Sequence, residues 1–241
     1  MFILLLKYAV NINTPLFMDT GFGNKRRLID ISSAADSIGT DMCNALPSFH
    51  AFTGCDTISA FVRKGKLGHF RVLQKNPRYV SVFENLGSNA LVSPKQLSDL
   101  EAFSCLLYSG RSPSKDINRL RYTMFMTRFT SKKELLSSET GIDLSLLPPC
   151  RSSLIMHIKR TNYQALIWKQ AHLAYPELPK PHNGHGWLLL GDDLEYKWAS
   201  SEMLPQELAD FVQDLEDLEK DDSSIVEDIF EGDEEEEEDE E

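Results

Sequence analysis

SFHAFTGCDTISAFVRKGKLGHF, residues 48–70, decides how the chain is read. An apolar element runs into Gly54-Cys55-Asp56, and a basic, Gly-containing turn follows. If the apolar element is a strand, Asp56 projects at the carboxyl end of a parallel sheet, where open α/β sheets place their sites. Gly54 then permits a tight backbone path. If it is not, Asp56 caps a helix over Thr57–Phe61. A metal-dependent phosphodiesterase needs several carboxylates converging on Mg²⁺ or Mn²⁺. Asp56 by itself therefore leaves both readings open.

The basic residues behind it point toward polyanions. From Phe61 to Tyr79 the chain carries Arg63, Lys64, Lys66, Arg71, Lys75 and Arg78, with His69 and no acid. A helix–turn–helix with Gly65 in its turn would offer backbone N–H groups and Lys to phosphates. A solvated helix face is the other reading. A second basic stretch, Arg111 to Lys133, would widen the same patch or lie exposed.

Working outward, FILLLKYAV (2–10) predicts a short buried helix or strand. PLFMDTG (15–21) and RRLIDI (26–31) predict short strands around the turn GFGNK. Ser32 or Ser33 would cap a helix running to about Leu46, with Pro47 ending it. Helical segments are expected over 57–64, 67–75 and 78–87. Ser93-Pro94 starts a further helix with Leu97, Leu100, Phe103 and Leu107 on its apolar face. Another covers 116–129, and a loop covers 130–147. Pro148-Pro149 restarts a helix through about His172. YPELPKPHNGHG (175–186) is an extended connector. WLLLGDDLEYKW (187–198) reads as a hairpin around Gly191-Asp192-Asp193. Residues 204–219 predict a last amphipathic helix.

The 241 residues carry a formal charge of −12, which hides two opposite halves. Residues 213–241 hold 18 Asp or Glu and one Lys. The preceding 212 residues hold 24 basic and 19 acidic residues, a net of +5. A run of like charges repels itself and is expected to be a disordered acidic tail, able to contact basic proteins or the basic body of its own chain. Cys43, Cys55, Cys105 and Cys150 form no Cys-x-x-Cys pair, which argues against a zinc knuckle. They read as core thiols in a reducing, intracellular compartment, nuclear or cytoplasmic. Cys55 has no local signature of a nucleophile. The six His read as structural, although His182 and His185 flank Asn-Gly in a spacing that would allow a weak metal site. MFILLL lacks the basic lead-in and cleavage site of a signal peptide and is too short to span a bilayer, so no membrane partner is expected.

The order of residues 26–87 resembles the second half of the nuclease domain of the PIN-like, flap-endonuclease superfamily. Gly54-Cys55-Asp56 matches its Gly-(Ser/Cys)-Asp motif, and Lys64-Gly65-Lys66 stands where its Gly-Lys turn lies. Over residues 1–212 the chain is similar to a group of multicopy animal proteins, plausibly derived from mobile elements. FHAFTGCDTISAFVRKGK, IKRTNYQALIW and GHGWLLLGDDLEYKW carry that likeness. The resemblance implies an α/β fold: a partial PIN-like parallel sheet with helices over 1–90, then a mostly helical region with a β-hairpin over 91–212, then the tail over 213–241. It implies that Asp56 helps hold Mg²⁺ or Mn²⁺. It also implies that Lys64, Gly65, Lys66 and Arg71 contact DNA or RNA phosphates. In the similar proteins an Asp-x-Asp pair precedes the segment matching FILLLKYA. Met1 stands there in this chain, and the turn VRKGKLG lacks the regular Gly-x-Gly pattern. The resemblance thus implies an N-terminally incomplete remnant of a structure-specific nuclease, inactive as it stands. A non-catalytic nucleic-acid or protein-interaction module is the alternative.

Overall fold

Local signals set most of the elements. A computed structural model describes residues 1–109, 114–130 and 143–200, all in the first of two units, Met1–Ser200 and Ser201–Glu241. Helix α1 is Phe2–Ala9, and strands β1 (Phe17–Thr20) and β2 (Arg27–Asp30) follow as an antiparallel pair. Asp30, not Ser32 or Ser33, caps α2 (Ile31–Ile38): its carboxylate accepts from the Ser33 N–H at 2.9 Å and the Ser33 hydroxyl at 2.8 Å. Gly39, at φ 87°, separates α2 from α3 (Thr40–Phe52).

Helix α3 runs straight through Pro47, which was expected to end it. An interior Pro costs a hydrogen bond and a clash, roughly 3 kcal/mol. Burial offsets that cost, because Ala45 to Phe49 and then Ala51 and Phe52 are all buried. A segment covered on every side shows neither strand nor helix periodicity, so sequence alone did not separate the two. The element leading to Asp56 is therefore helix, not strand.

Helices α4 (Lys66–Lys75) and α5 (Val80–Asn85) come next, joined by a 3-10 turn at Pro77–Tyr79. The helix expected over 57–64 is absent, replaced by a tight turn and an extended passage. Helix α6 (Pro94–Ser109) starts on a reciprocal cap: the Ser93 N–H donates to Gln96 Oε1 at 3.0 Å and the Gln96 N–H to Ser93 Oγ at 3.2 Å. Helices α7 (Ile117–Thr130) and α8 (Arg151–Lys169) complete the helical body. The hairpin pairs β3 (Trp187–Leu190) with β4 (Asp193–Tyr196), leaving Gly191-Asp192 as its two-residue turn.

The described strands form two antiparallel pairs, so the fold is helices with small sheets, and the parallel sheet expected around Asp56 does not occur among the described residues. Parallel strands need a crossover to return in register. Here α3 takes the place of the strand that would have needed one. The boundary expected at residue 90 also falls inside the first unit, because α3 packs on α5 and α8 alike. Phe52, Phe83 and Phe103 are fully buried, with ring centroids 5.1 to 6.0 Å apart. No described helix is long and apolar enough to cross a membrane. The helix expected over 204–219, the acidic tail and residues 131–142 of the expected loop lie outside the described residues.

Candidate functional site

The site is built on the carboxyl end of α3. A helix leaves its last carbonyls without intrahelical partners, and its macrodipole makes that end negative. Thr53 satisfies one carbonyl, donating its hydroxyl to Phe49 O at 2.9 Å. Gly54 then turns the chain at φ 104°, and a Cβ there would lie 2.6 Å from Ala60 Cβ, so this turn demands glycine. Cys55 and Ile58 close the turn by exchanging backbone hydrogen bonds of 2.9 and 3.2 Å. Asp56 and Thr57 sit exposed at its tip. Thr57 donates to Gln164 Oε1 on α8 at 2.6 Å, which pins the tip to the helix behind it.

Lys66, the first residue of α4, reaches back over this end. Its ammonium donates to His50 Nδ1 at 2.9 Å, to the His50 carbonyl at 3.3 Å and to the Gly54 carbonyl. Burial lowers the Lys66 pKa, while Cys55 and Asp56 pull it back up, so the ammonium stands in the field of the Asp56 carboxylate. His50 stacks on Trp168 with ring centroids 5.7 Å apart. Burial pushes the His50 pKa down; the Lys66 and Met1 ammonium groups add to that, and Asp56 opposes it. His50 is therefore a neutral acceptor at neutral pH. The start of α1, the end of α3, the Asp56 turn and the start of α4 all act on this one histidine.

The four residues assigned to phosphate contact have different surroundings. Lys66 is held by α3. The Lys64 ammonium lies over the Tyr108 ring, 4.9 Å from its centroid. Gly65 is exposed and precedes α4 as its N-cap, with extended backbone. Arg71 is exposed on α4, as is Lys75. Arg63, at φ 54°, pairs with Asp143 at 3.4 Å. Among the described residues no three His, Cys, Asp or Glu converge as metal ligands. His185 is buried against Tyr163, with ring centroids 4.8 Å apart. All four Cys are free thiols.

No protein-family model, curated protein or solved structure matches this chain.

The motif IKRTNYQALIW belongs to α8, and its polar residues bind loops to the helix. Asn162 accepts from the Gly87 N–H at 2.7 Å and donates to the Asn89 and Ala90 carbonyls at 3.0 Å each. Tyr163 donates to Pro179 O at 2.9 Å, and Gln164 holds the Asp56 turn. Arg160 donates to Gly186 O and Lys197 O, anchoring the hairpin. The sequence reading took this helix for its apolar face and passed over His50, Thr57 and Gln164 as site residues. Polar residues inside a run of buried positions were the available signal, since a buried polar group requires a partner.

Proposed function

We propose that this chain is a PIN-like nuclease remnant that binds nucleic acid without cutting it. The observation that carries this reading is the position of the Lys66 ammonium, which lies on the His50 and Gly54 acceptors in the field of Asp56. A cation already occupies the negative end of α3, beside the carboxylate that the resemblance assigns to Mg²⁺ or Mn²⁺. The residues present do not fit a divalent ion: Asp56 is one exposed carboxylate, and Mg²⁺ gives up its water only to a preformed set of oxygens. No cleavage step is derived through it. Binding, by contrast, needs only cations along a phosphate track. Arg71 and Lys75 supply two on the exposed side of α4, with Lys64 beside them.

The test is titration of a labelled single strand and a labelled duplex over a range of salt, together with incubation in Mg²⁺ or Mn²⁺. Binding is expected to weaken as salt rises, through counterion release. Replacing Arg71 and Lys75 together with Ala should flatten the salt slope by roughly 0.7–0.9 per lost phosphate contact. Truncation after Val212 removes the −17 segment and should tighten binding. Salt-independent binding would overturn the reading, as would cleavage that Asp56→Ala abolishes.

A further inference from the structure

A cavity of about 260 Å³ lies along α8, away from the Asp56 turn. Ser153, His157 and Arg160 recur at helical spacing and form one wall. Phe61, Tyr108 and Trp198 give it an aromatic wall. Its size is close to the lower end of small-molecule sites, roughly 300 to 1,000 Å³. One ring system with one charged group fills such a space.

Arg160 is the charged residue in the described lining, and only 2% of it is exposed. Its Nη1 donates to Gly186 O at 3.1 Å and to Lys197 O at 2.7 Å. Its guanidinium lies over the Tyr196 and Trp198 rings, 5.4 and 5.6 Å from their centroids. Carbonyls and ring faces orient a cation without neutralising it. Among the described residues no carboxylate pairs with Arg160. Buried charges are ordinarily paired. Both hydrogen bonds use Nη1, and a guanidinium has five donors.

The polar groups beside it have settled roles. His157 Nε2 donates to Phe52 O at 2.8 Å, which leaves Nδ1 as the acceptor, 3.3 Å from Ser59 Oγ. Burial lowers the His157 pKa to about 4, so the ring is neutral. The lining thus offers one cation, hydroxyls, a ring acceptor and aromatic faces.

We propose that this cavity binds a nucleoside monophosphate, with the phosphate on Arg160 and the base against the Phe61, Tyr108 and Trp198 wall. Aromatic faces stack on any base. The choice of a nucleotide over other aromatic anions rests on the nucleic-acid reading above. Tyr108 links the two regions: it lines the cavity and carries the Lys64 ammonium over its ring. The ligand is either a free nucleotide or the terminal nucleotide of a strand.

Calorimetric titration of the full chain with AMP, GMP, CMP and UMP, with their nucleosides and with inorganic phosphate, tests this. At least one monophosphate should bind tenfold or more tighter than its nucleoside and than phosphate. Arg160→Gln should erase the preference over nucleoside, and Trp198→Ala should weaken both by similar factors. Trp198 is 63% exposed, so its loss leaves the fold intact. If Arg160→Gln does not fold, Ser153→Glu brings a carboxylate into the cavity and should abolish monophosphate binding. A strand with a terminal phosphate that competes with the mononucleotide, where the unphosphorylated strand does not, identifies strand ends as the source; competition by neither identifies the free nucleotide. Equal affinity for monophosphate and nucleoside, phosphate binding as tight as monophosphate, or binding unchanged in Trp198→Ala overturns the proposal. A mononucleotide does not reach along α4. Its failure to bind therefore leaves the α4 reading intact, and loss of the α4 salt slope leaves the cavity intact.

Discussion

Helices α4 and α8 both carry Lys and Arg, and they use them in opposite ways. On α8, Arg160 is buried on two carbonyls, and Lys169 donates to Glu84 O at 2.6 Å and Ser88 Oγ at 2.7 Å. On α4, Arg71 and Lys75 point into solvent, and only Lys66, at the first position, is drawn inward. A basic side chain that satisfies carbonyls is architecture. One left in water is available to a partner. Composition assigns both to the same class, and only their acceptors separate them.

The largest effect that tests this contrast belongs to α8. Asn162→Ala leaves the buried Gly87 N–H and two loop carbonyls without partners. At about 1–3 kcal/mol per unsatisfied group, the loss should be about 3 kcal/mol or more by urea denaturation. Gly87→Ala should be comparably damaging, because at φ 74° its Cβ would strike the α8 backbone at Ala165 and Leu166. A loss under about 1 kcal/mol in both variants would break the view of α8 as the helix that holds the loops.

Acid should come next. Burial holds His69 and His157 near pKa 4, against about 6.5 in an unfolded chain. As pH falls below 6.5 the unfolded chain binds protons that the folded one refuses, so stability falls from pH 6.5 to 4 and is unaffected by these residues above that window. For His157 the full window amounts to about 3 kcal/mol. Neither ring nitrogen of His69 has a hydrogen-bond partner. His69→Leu should therefore fold as well as the native chain at pH 7 and lose less stability at pH 4.5. A native chain equally stable at pH 7 and pH 4.5 would remove this argument.

A smaller effect divides α4 itself. Lys66→Met removes the cap on α3 and should cost about 1–2 kcal/mol. Arg71→Ala with Lys75→Ala should stay within about 0.5 kcal/mol in stability while weakening nucleic-acid binding. Asp56→Asn should likewise leave folding nearly unchanged, since the carboxylate is exposed at the tip of its turn. If Lys66→Met instead behaves like the Arg71 and Lys75 pair, then Lys66 belongs to the binding face.

The hairpin, the Ser93 cap with α6, and the β1–β2 pair were legible in the sequence because each rests on contacts a few residues apart. Turn glycines, a Ser-x-x-Gln cap and alternating strands state their own geometry. The site was only partly legible. Residues 54–66 identified a turn and a basic stretch, which local chemistry allows. What Lys66 does depends on an acceptor 16 positions away, and what Gln164 does depends on a threonine 107 positions away. The direction of α3 through Pro47 was decided by burial on every side, which erases periodicity. So the sequence by itself determined where chain turns occur and where charge accumulates. Tertiary structure decided which charges face inward, because a buried cation must find its acceptors wherever the fold places them.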